Sequence, residues 1–311
     1  MGINKSTTEG IRTEKKTGMG PDMRKTYDDY DYEEAYKKQI DTLQEWELEN
    51  LLKTGKVESL YRTTTTKSKN QKSGKELLES QIYPSFFHKA DVPRTDKKKA
   101  SKPSQRNLND KNARRYLTRL ANINFGKGDL WCTFGWNDTD MPESEKEAKK
   151  DITNFIKRIN YRRKKKGHTN IKYIYIMAFD DYTRPHFHLI MSGDGVDRDE
   201  LEVVWGKGDR PNTRRIKPDE DFLITGLAFY ISRNPHGTKR WCSSKNLKKP
   251  PMPTRSYSKF RKKTVEKMVK SHETLREEME KAYKGYRFLD AEVKYNGITA
   301  AFYIYARMVR D

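Results

Sequence analysis

The sequence has little with which to build a sealed interior. Only 33% of its 311 residues are hydrophobic, 35% are charged, and the mean hydropathy is −1.08. Globular chains average about 45–50% apolar and about 25% charged residues. One compact body from end to end is therefore excluded, and a sizeable part is expected as loop, solvated helix or unordered chain. Cysteine is nearly absent, with Cys132 and Cys242 the only two. Two distant thiols make neither a disulfide framework nor a four-cysteine zinc site. Such usage fits a reducing compartment, so a cytoplasmic location is expected. No apolar run nears the ~20 residues that span a membrane, so no membrane partner is expected. The opening MGINKSTTEGIRTEKK has no apolar stretch behind its charges, so no secretory signal is expected. The phosphate-cradling G-x-x-x-x-G-K-[ST] is also missing: Gly74-Lys75 runs into Glu76, with Lys69 where the first glycine would stand. With no G-x-S-x-G and no H-E-x-x-H either, a self-powered helicase, an α/β hydrolase and a zincin are all excluded.

What the chain does have is positive charge. Lys and Arg number 65 against 44 Asp and Glu, a net +21 and a pI near 9.7. That balance asks for a polyanionic partner, with nucleic acid first among them. Residues 233–263 carry 11 Lys or Arg and no acidic residue, interleaved with Trp241, Tyr257 and Phe260. Cations for phosphates and ring faces for bases are what a single strand requires. The plainer reading is a solvated basic surface; the aromatic interleaving favours nucleic acid. Arg184, Lys239, Arg240, Trp241, Lys245, Lys248, Lys249 and Arg255 are the candidate contacts.

The pattern of elements is mixed. Residues 1–26 are polar and aperiodic, and 62–76 (Thr, Lys, Ser, Asn) read as a linker. Between them, Tyr36, Ile40, Leu43, Trp46 and Leu51 fall near helical spacing. The expected division is an extension over 1–104, largely unordered with an amphipathic helix near 30–52, then a folded domain over 105–311. Strands are predicted at 130–136 (LWCTFGW), 171–179 (IKYIYIMAF) and 186–191 (HFHLIM), with a short one possible in NTRRIKP. Helices are predicted over 107–125, with Asn109 or Asp110 near the start, and at 144–166, where Ser144 and Glu147 form a capping box and Gly167 closes the end. Further helices are predicted at 197–205, 219–233 and 259–283. A hairpin across Asn296-Gly297 ends the chain. Hairpins dominate, so the class is α+β, a mainly antiparallel central sheet with helices packed on one side.

Three features could carry chemistry. In His186-Phe187-His188 the two-residue repeat of a strand sends both imidazoles to one face, as two metal ligands need. A carboxylate often completes such a set, and Asp180 or Asp181 in the turn before the strand could supply it. Chance alternation on a half-buried strand is the plain alternative. Tyr230 and Arg233 lie three apart on the helix predicted at 219–233, so a phenol would sit beside a cation. There the plain alternative is stronger, since Leu223, Leu227 and Tyr230 share a stripe and Tyr230 could be a core ring.

In order and spacing, WCTFGW (131–136), RPHFHLIM (184–191) and GLAFYISRNP (226–235) resemble the three motifs of the HUH endonucleases, and within them the rolling-circle replication initiators related to the phage and plasmid gene II proteins. The likeness covers about residues 105–265. It implies an HUH domain over 105–311 with His186, His188 and Asp180 (Asp181 as alternative) holding Mg²⁺ or Mn²⁺. Tyr230 is implied as the nucleophile that nicks single-stranded or hairpin DNA at an origin and keeps the 5′-phosphate. Arg233 stands where relatives carry Lys, and an aspartate where they usually carry Glu. A host helicase is implied as partner. The alternatives are a single-tyrosine transposase, a mobilisation relaxase, or a non-catalytic DNA-binding protein on the same fold.

Overall fold

The computed structural model describes residues 59–86, 103–179, 184–208, 211–232, 240–296 and 301–311, and Gln44, Trp46, Glu47 and Asn50 ahead of them. Trp46, Glu47 and Asn50 are helical; the rest of the helix expected near 30–52, and residues 1–26, lie outside the described residues. The class is α+β as expected, but the strands form two antiparallel five-stranded sheets rather than one.

The first, here the site sheet, contains β3 (Leu130–Gly135), β4 (Tyr173–Ala178), β5 (His186–Met191), β6 (Asn212–Arg215) and β7 (Cys242–Ser243), in the order β6-β3-β5-β4-β7. Alternation along each strand sends its residues to opposite faces. Phe134, Phe187, Leu189 and Met177 meet Ile152, Phe155 and Ile159 of α2 (Glu145–Lys165) and Leu201 and Trp205 of α3 (Arg198–Trp205). The rings of Phe134, Phe155, Phe187 and Trp205 lie 5.0 to 5.6 Å apart between centroids. On the other face Ile174, Ile176 and Ile190 meet Leu117, Leu120 and Ala121 of α1 (Pro103–Asn124) and Ala228 and Ile231 of α4 (Thr225–Ser232). Helices thus cover both faces, not one as expected. The Ser144 hydroxyl accepts from Glu147 N–H at 3.3 Å. The Glu147 carboxylate accepts from Glu143 N–H rather than from Ser144, so the capping box is offset by one residue.

The second sheet, in the order β8-β1-β2-β10-β9, corrects the linker reading of 62–76. β1 (Ser59–Lys69) and β2 (Glu76–Phe86) form a hairpin that joins β8 (Thr254–Ser256) and the carboxy-terminal hairpin β9 (Arg287–Asn296) and β10 (Ala301–Arg310). Thr is β-branched and suits a strand, but RTTTTKSK shows no apolar alternation to betray one. The residues joining β9 to β10, 297–300, lie outside the described set. One face of this sheet packs Leu78, Ile82, Ile304 and Met308 on Val265 and Met268 of α5 (Lys262–Lys270) and Leu275 and Met279 of α6 (His272–Ala282).

Two predicted helices differ from those observed. The helix expected at 259–283 is split at Ser271, which is extended (φ −146°, ψ 131°) and caps α6 by accepting from Thr274 N–H. The helix expected at 219–233 begins only at Thr225. Before it, the Asp219 carboxylate accepts from the N–H groups of Asp221 and Phe222 at 2.9 and 2.8 Å, a local turn that competes with helix. Leu223 takes φ +55° and packs on Leu77 and Val309 of the second sheet instead of sharing a stripe with Tyr230.

The two sheets are tied at Asp129, a carboxylate with no exposed surface. It accepts from Gly126 N–H (2.9 Å), Gly193 N–H (3.0 Å) and the Lys72 ammonium (2.6 Å), which comes from the β1–β2 turn.

Candidate active site

β5 lies between β3 and β4, and its register places Thr133 and Ile176 either side of His188, and Gly135 and Ala178 either side of His186. Both imidazoles leave the face that α1 and α4 cover farther along, with ring centroids 5.1 Å apart. His186 Nδ1 lies 2.9 Å from the Arg184 carbonyl oxygen. That oxygen can only accept, so Nδ1 donates, and in the neutral ring this leaves the lone pair on Nε2. His188 Nδ1 lies 3.0 Å from the Thr133 hydroxyl, which can play the same accepting part. Burial first, and then the neighbouring His186, push the His188 imidazole down to about 4. It is therefore neutral at pH 7, the form that binds a cation.

Tyr230 completes the group. α4 carries it to the same end of the sheet, where its ring stands edge-on to His188 at 5.9 Å and to Trp131 at 6.1 Å between centroids. It is 59% exposed, while Ala228, Ile231 and Ser232 of the same helix are buried. The core-ring reading of Tyr230 fails on that exposure. An accessible phenol beside two imidazoles that can hold a divalent cation is an arrangement suited to attack on a phosphate.

The donor set fits a metal as far as it is described. Both histidines have an oxygen partner on the ring nitrogen turned away from the lone pair, as ligating histidines usually do. Among the described residues no His, Cys, Asp or Glu joins the pair to make a group of three. Asp180, Asp181 and Arg233 lie outside the described residues, as does Lys239.

The match with known proteins falls on this region. Residues 129–233 match the family model described as replication-associated protein ORF2/G2P. The match spans about a third of the chain, from the buried Asp129 through the histidine pair and Tyr230, and supports a gene II-type replication protein. Neither the curated proteins nor the solved structures gave a significant match.

The expected DNA contacts are spread over the surface. Arg184 donates to the Trp136 carbonyl oxygen (2.8 and 3.1 Å) and pairs with Asp138 at 2.7 Å, which straps the rim beside His186. Arg240 pairs with Asp110, and Trp241 stacks on Tyr116 with centroids 6.4 Å apart. Lys245, Lys248 and Lys249 are exposed beyond β7, and Arg255 is exposed on β8, the edge strand of the second sheet. WCTFGW also supplies two residues to the site that its motif resemblance left without a part. Thr133 faces His188 and Trp131 faces Tyr230, and the period of two along β3 put both on the histidine face once the pairing was known.

Proposed function

We propose that this protein is a rolling-circle replication initiator that nicks and rejoins single-stranded or hairpin DNA at an origin. The observation that carries the reading is the exposed Tyr230 ring against His188, within the region that matches the replication family. Tyr230 Oη attacks the scissile phosphorus, a P–Oη bond forms and the P–O3′ bond breaks. The phenol proton leaves, the departing 3′ oxygen takes one up, and the 5′-phosphate stays as a phosphotyrosine. The phosphodiester energy is retained in that link, so the reverse reaction rejoins strands without ATP. His186, His188 and the Asp180 carboxylate, with Asp181 as the alternative, would hold Mg²⁺ or Mn²⁺, which supplies charge to polarise the phosphate oxygens. Arg233 would hold a phosphate oxygen, as a fixed cation that cannot shuttle the proton. The exposed Lys245, Lys248 and Lys249 would track backbone phosphates, with a host helicase unwinding ahead.

The test is incubation with labelled hairpin oligonucleotides from the protein's own replicon and Mg²⁺ or Mn²⁺, followed by SDS gels. The intact protein should give an SDS-stable adduct. Tyr230→Phe should lose it, with nicking down by roughly a thousandfold or more while folding and DNA binding persist. A DNA-linked peptide that maps to any other tyrosine would overturn the assignment. No adduct from the intact protein would favour the non-catalytic DNA-binding reading.

A further inference from the structure

A cavity of about 700 Å³ lies between α1, the outer face of the second sheet and the start of α4. Four carboxylates line it, and each is already neutralised: Glu79 by Arg119, Asp110 by Arg240, Asp290 by Arg307 and Glu292 by Lys294. What remains is Lys111, Arg114 and Arg115 along α1. Arg115 donates to the Gln81 side-chain oxygen at 2.8 Å and lies 4.0 Å over the Tyr305 ring, and neither partner carries a countercharge. Lys111 and Arg114 make no ion pair among the described residues. Burial, then Arg115 and Lys294, hold the Lys111 ammonium below its ordinary range against an opposing pull from Glu292.

Two further groups are unspent. Ser68, only 3% exposed, lines the cavity with a hydroxyl that has no hydrogen-bond partner, and the buried Nη2 of Arg119 has none either. Buried polar groups are normally paired, so these two call for a ligand that accepts hydrogen bonds. Phe229, 53% exposed, also lines the cavity and immediately precedes Tyr230. Successive helix residues point about 100° apart, so the cleft with Phe229 flanks the side of α4 that carries Tyr230 to the histidines. Cations, unspent donors and an exposed ring in one cleft are the components of a single-strand site.

We propose that this cleft seats a phosphodiester stretch of the strand that Tyr230 cuts, with phosphates on Lys111 and Arg114, a hydrogen bond from the unpaired Nη2 of Arg119, and a base against Phe229. The inference rests on the nicking reading for its placement, and it names where the flank of the scissile bond goes. It explains why α1 is fixed to α4, where Asn122 donates to Thr225 Oγ1 at 2.8 Å and accepts from Ile224 N–H at 3.1 Å.

The test compares long origin oligonucleotides with ones trimmed in steps on either side of the nick. Binding is read by fluorescence anisotropy across a salt series in the uncut Tyr230→Phe protein. Adding Lys111→Ala and Arg114→Ala should weaken the long strand about tenfold and lower its log–log salt slope by about 1.4, for two phosphates released. The strand trimmed on the cleft side should bind both proteins alike. Lys111→Arg with Arg114→Lys should restore the long-strand affinity, which a folding defect would not. Equal weakening of long and trimmed strands, or of neither, would overturn the proposal. With Tyr230 intact, an SDS-stable adduct formed without any length effect sinks the cleft alone. A length effect without an adduct leaves the cleft standing and sinks the nicking reading.

Discussion

The site sheet buries Phe134, Phe187, Leu189 and Ile190 across two faces, while the second sheet places Thr63, Thr65, Thr66 and Ser68 of β1 among its buried residues. In the site sheet the interior is mostly apolar, with Trp131 Nε1, Thr213 Oγ1 and Arg163 Nη1 its buried polar atoms without a partner, so its strands are held chiefly by dispersion and hydrophobic burial. In the second sheet some hydroxyls are satisfied: Tyr283 Oη lies 2.7 Å from Thr65 Oγ1 and 2.9 Å from Ser80 Oγ. Others are not, since the hydroxyls of Thr63, Thr66 and Ser68 have no partner. The histidine pair therefore stands on a packed apolar platform, while of the unpaired hydroxyls of the second sheet Ser68 lines the cleft. A rigid base fixes the geometry of the side chains it carries, whereas a buried hydroxyl without a partner is the exception among buried polar groups.

That contrast can be broken or sharpened in three ways. Phe187→Ala removes a fully buried ring that touches Phe134, Trp136 and Trp205, and should cost about 4 kcal/mol in urea unfolding. A cost below about 1 kcal/mol would mean the platform repacks and is not stiff. Asp129→Ala deletes the carboxylate between the sheets, stranding two amide donors and the Lys72 ammonium, and should cost about 3 kcal/mol. It should also separate the unfolding of the two sheets, so that tryptophan fluorescence, dominated by Trp131, Trp136 and Trp205 around the site sheet, no longer coincides with far-UV circular dichroism. Coincident transitions in this variant would show that the sheets do not depend on this tie. Thr63→Val keeps the shape and removes an unpaired buried hydroxyl, and should stabilise by about 1 kcal/mol. Destabilisation instead would mean that an ordered water satisfies Thr63.

The same contrast explains what could be read from the sequence. The site sheet was legible because Phe187, Leu189 and Met191 alternate with the histidines, and Ile152, Phe155, Ile156 and Ile159 mark one face of α2. The second sheet was half legible. Its carboxy-terminal hairpin carries apolar alternation, but β1 does not: Thr64 and Thr65 meet the hydroxyls of Tyr83 and Tyr283, and Thr63 and Thr66 meet none. The joining of Tyr230 to the pair depended on pattern order, while its exposure did not follow from spacing. Leu223 and Leu227 imitated a buried stripe, and only the Asp219 turn, which delays the helix to Thr225, takes Leu223 out of it.

The pairing of β2 with β10 has a consequence for how the chain is made. Their contacts, such as the Arg310–Glu76 ion pair, bridge segments 234 positions apart, and every strand of the site sheet lies between them. During synthesis the amino-terminal hairpin must wait for its central neighbour until β10 emerges. The histidine pair and Tyr230 can be laid down and packed first, since domains fold as their sequence becomes available. A polypeptide cut short after Leu247 would carry the pair and the tyrosine but lack the wall formed by β9 and β10. The histidine pair with Tyr230 and the wall of the cleft would thus come into being at different moments in the life of each molecule.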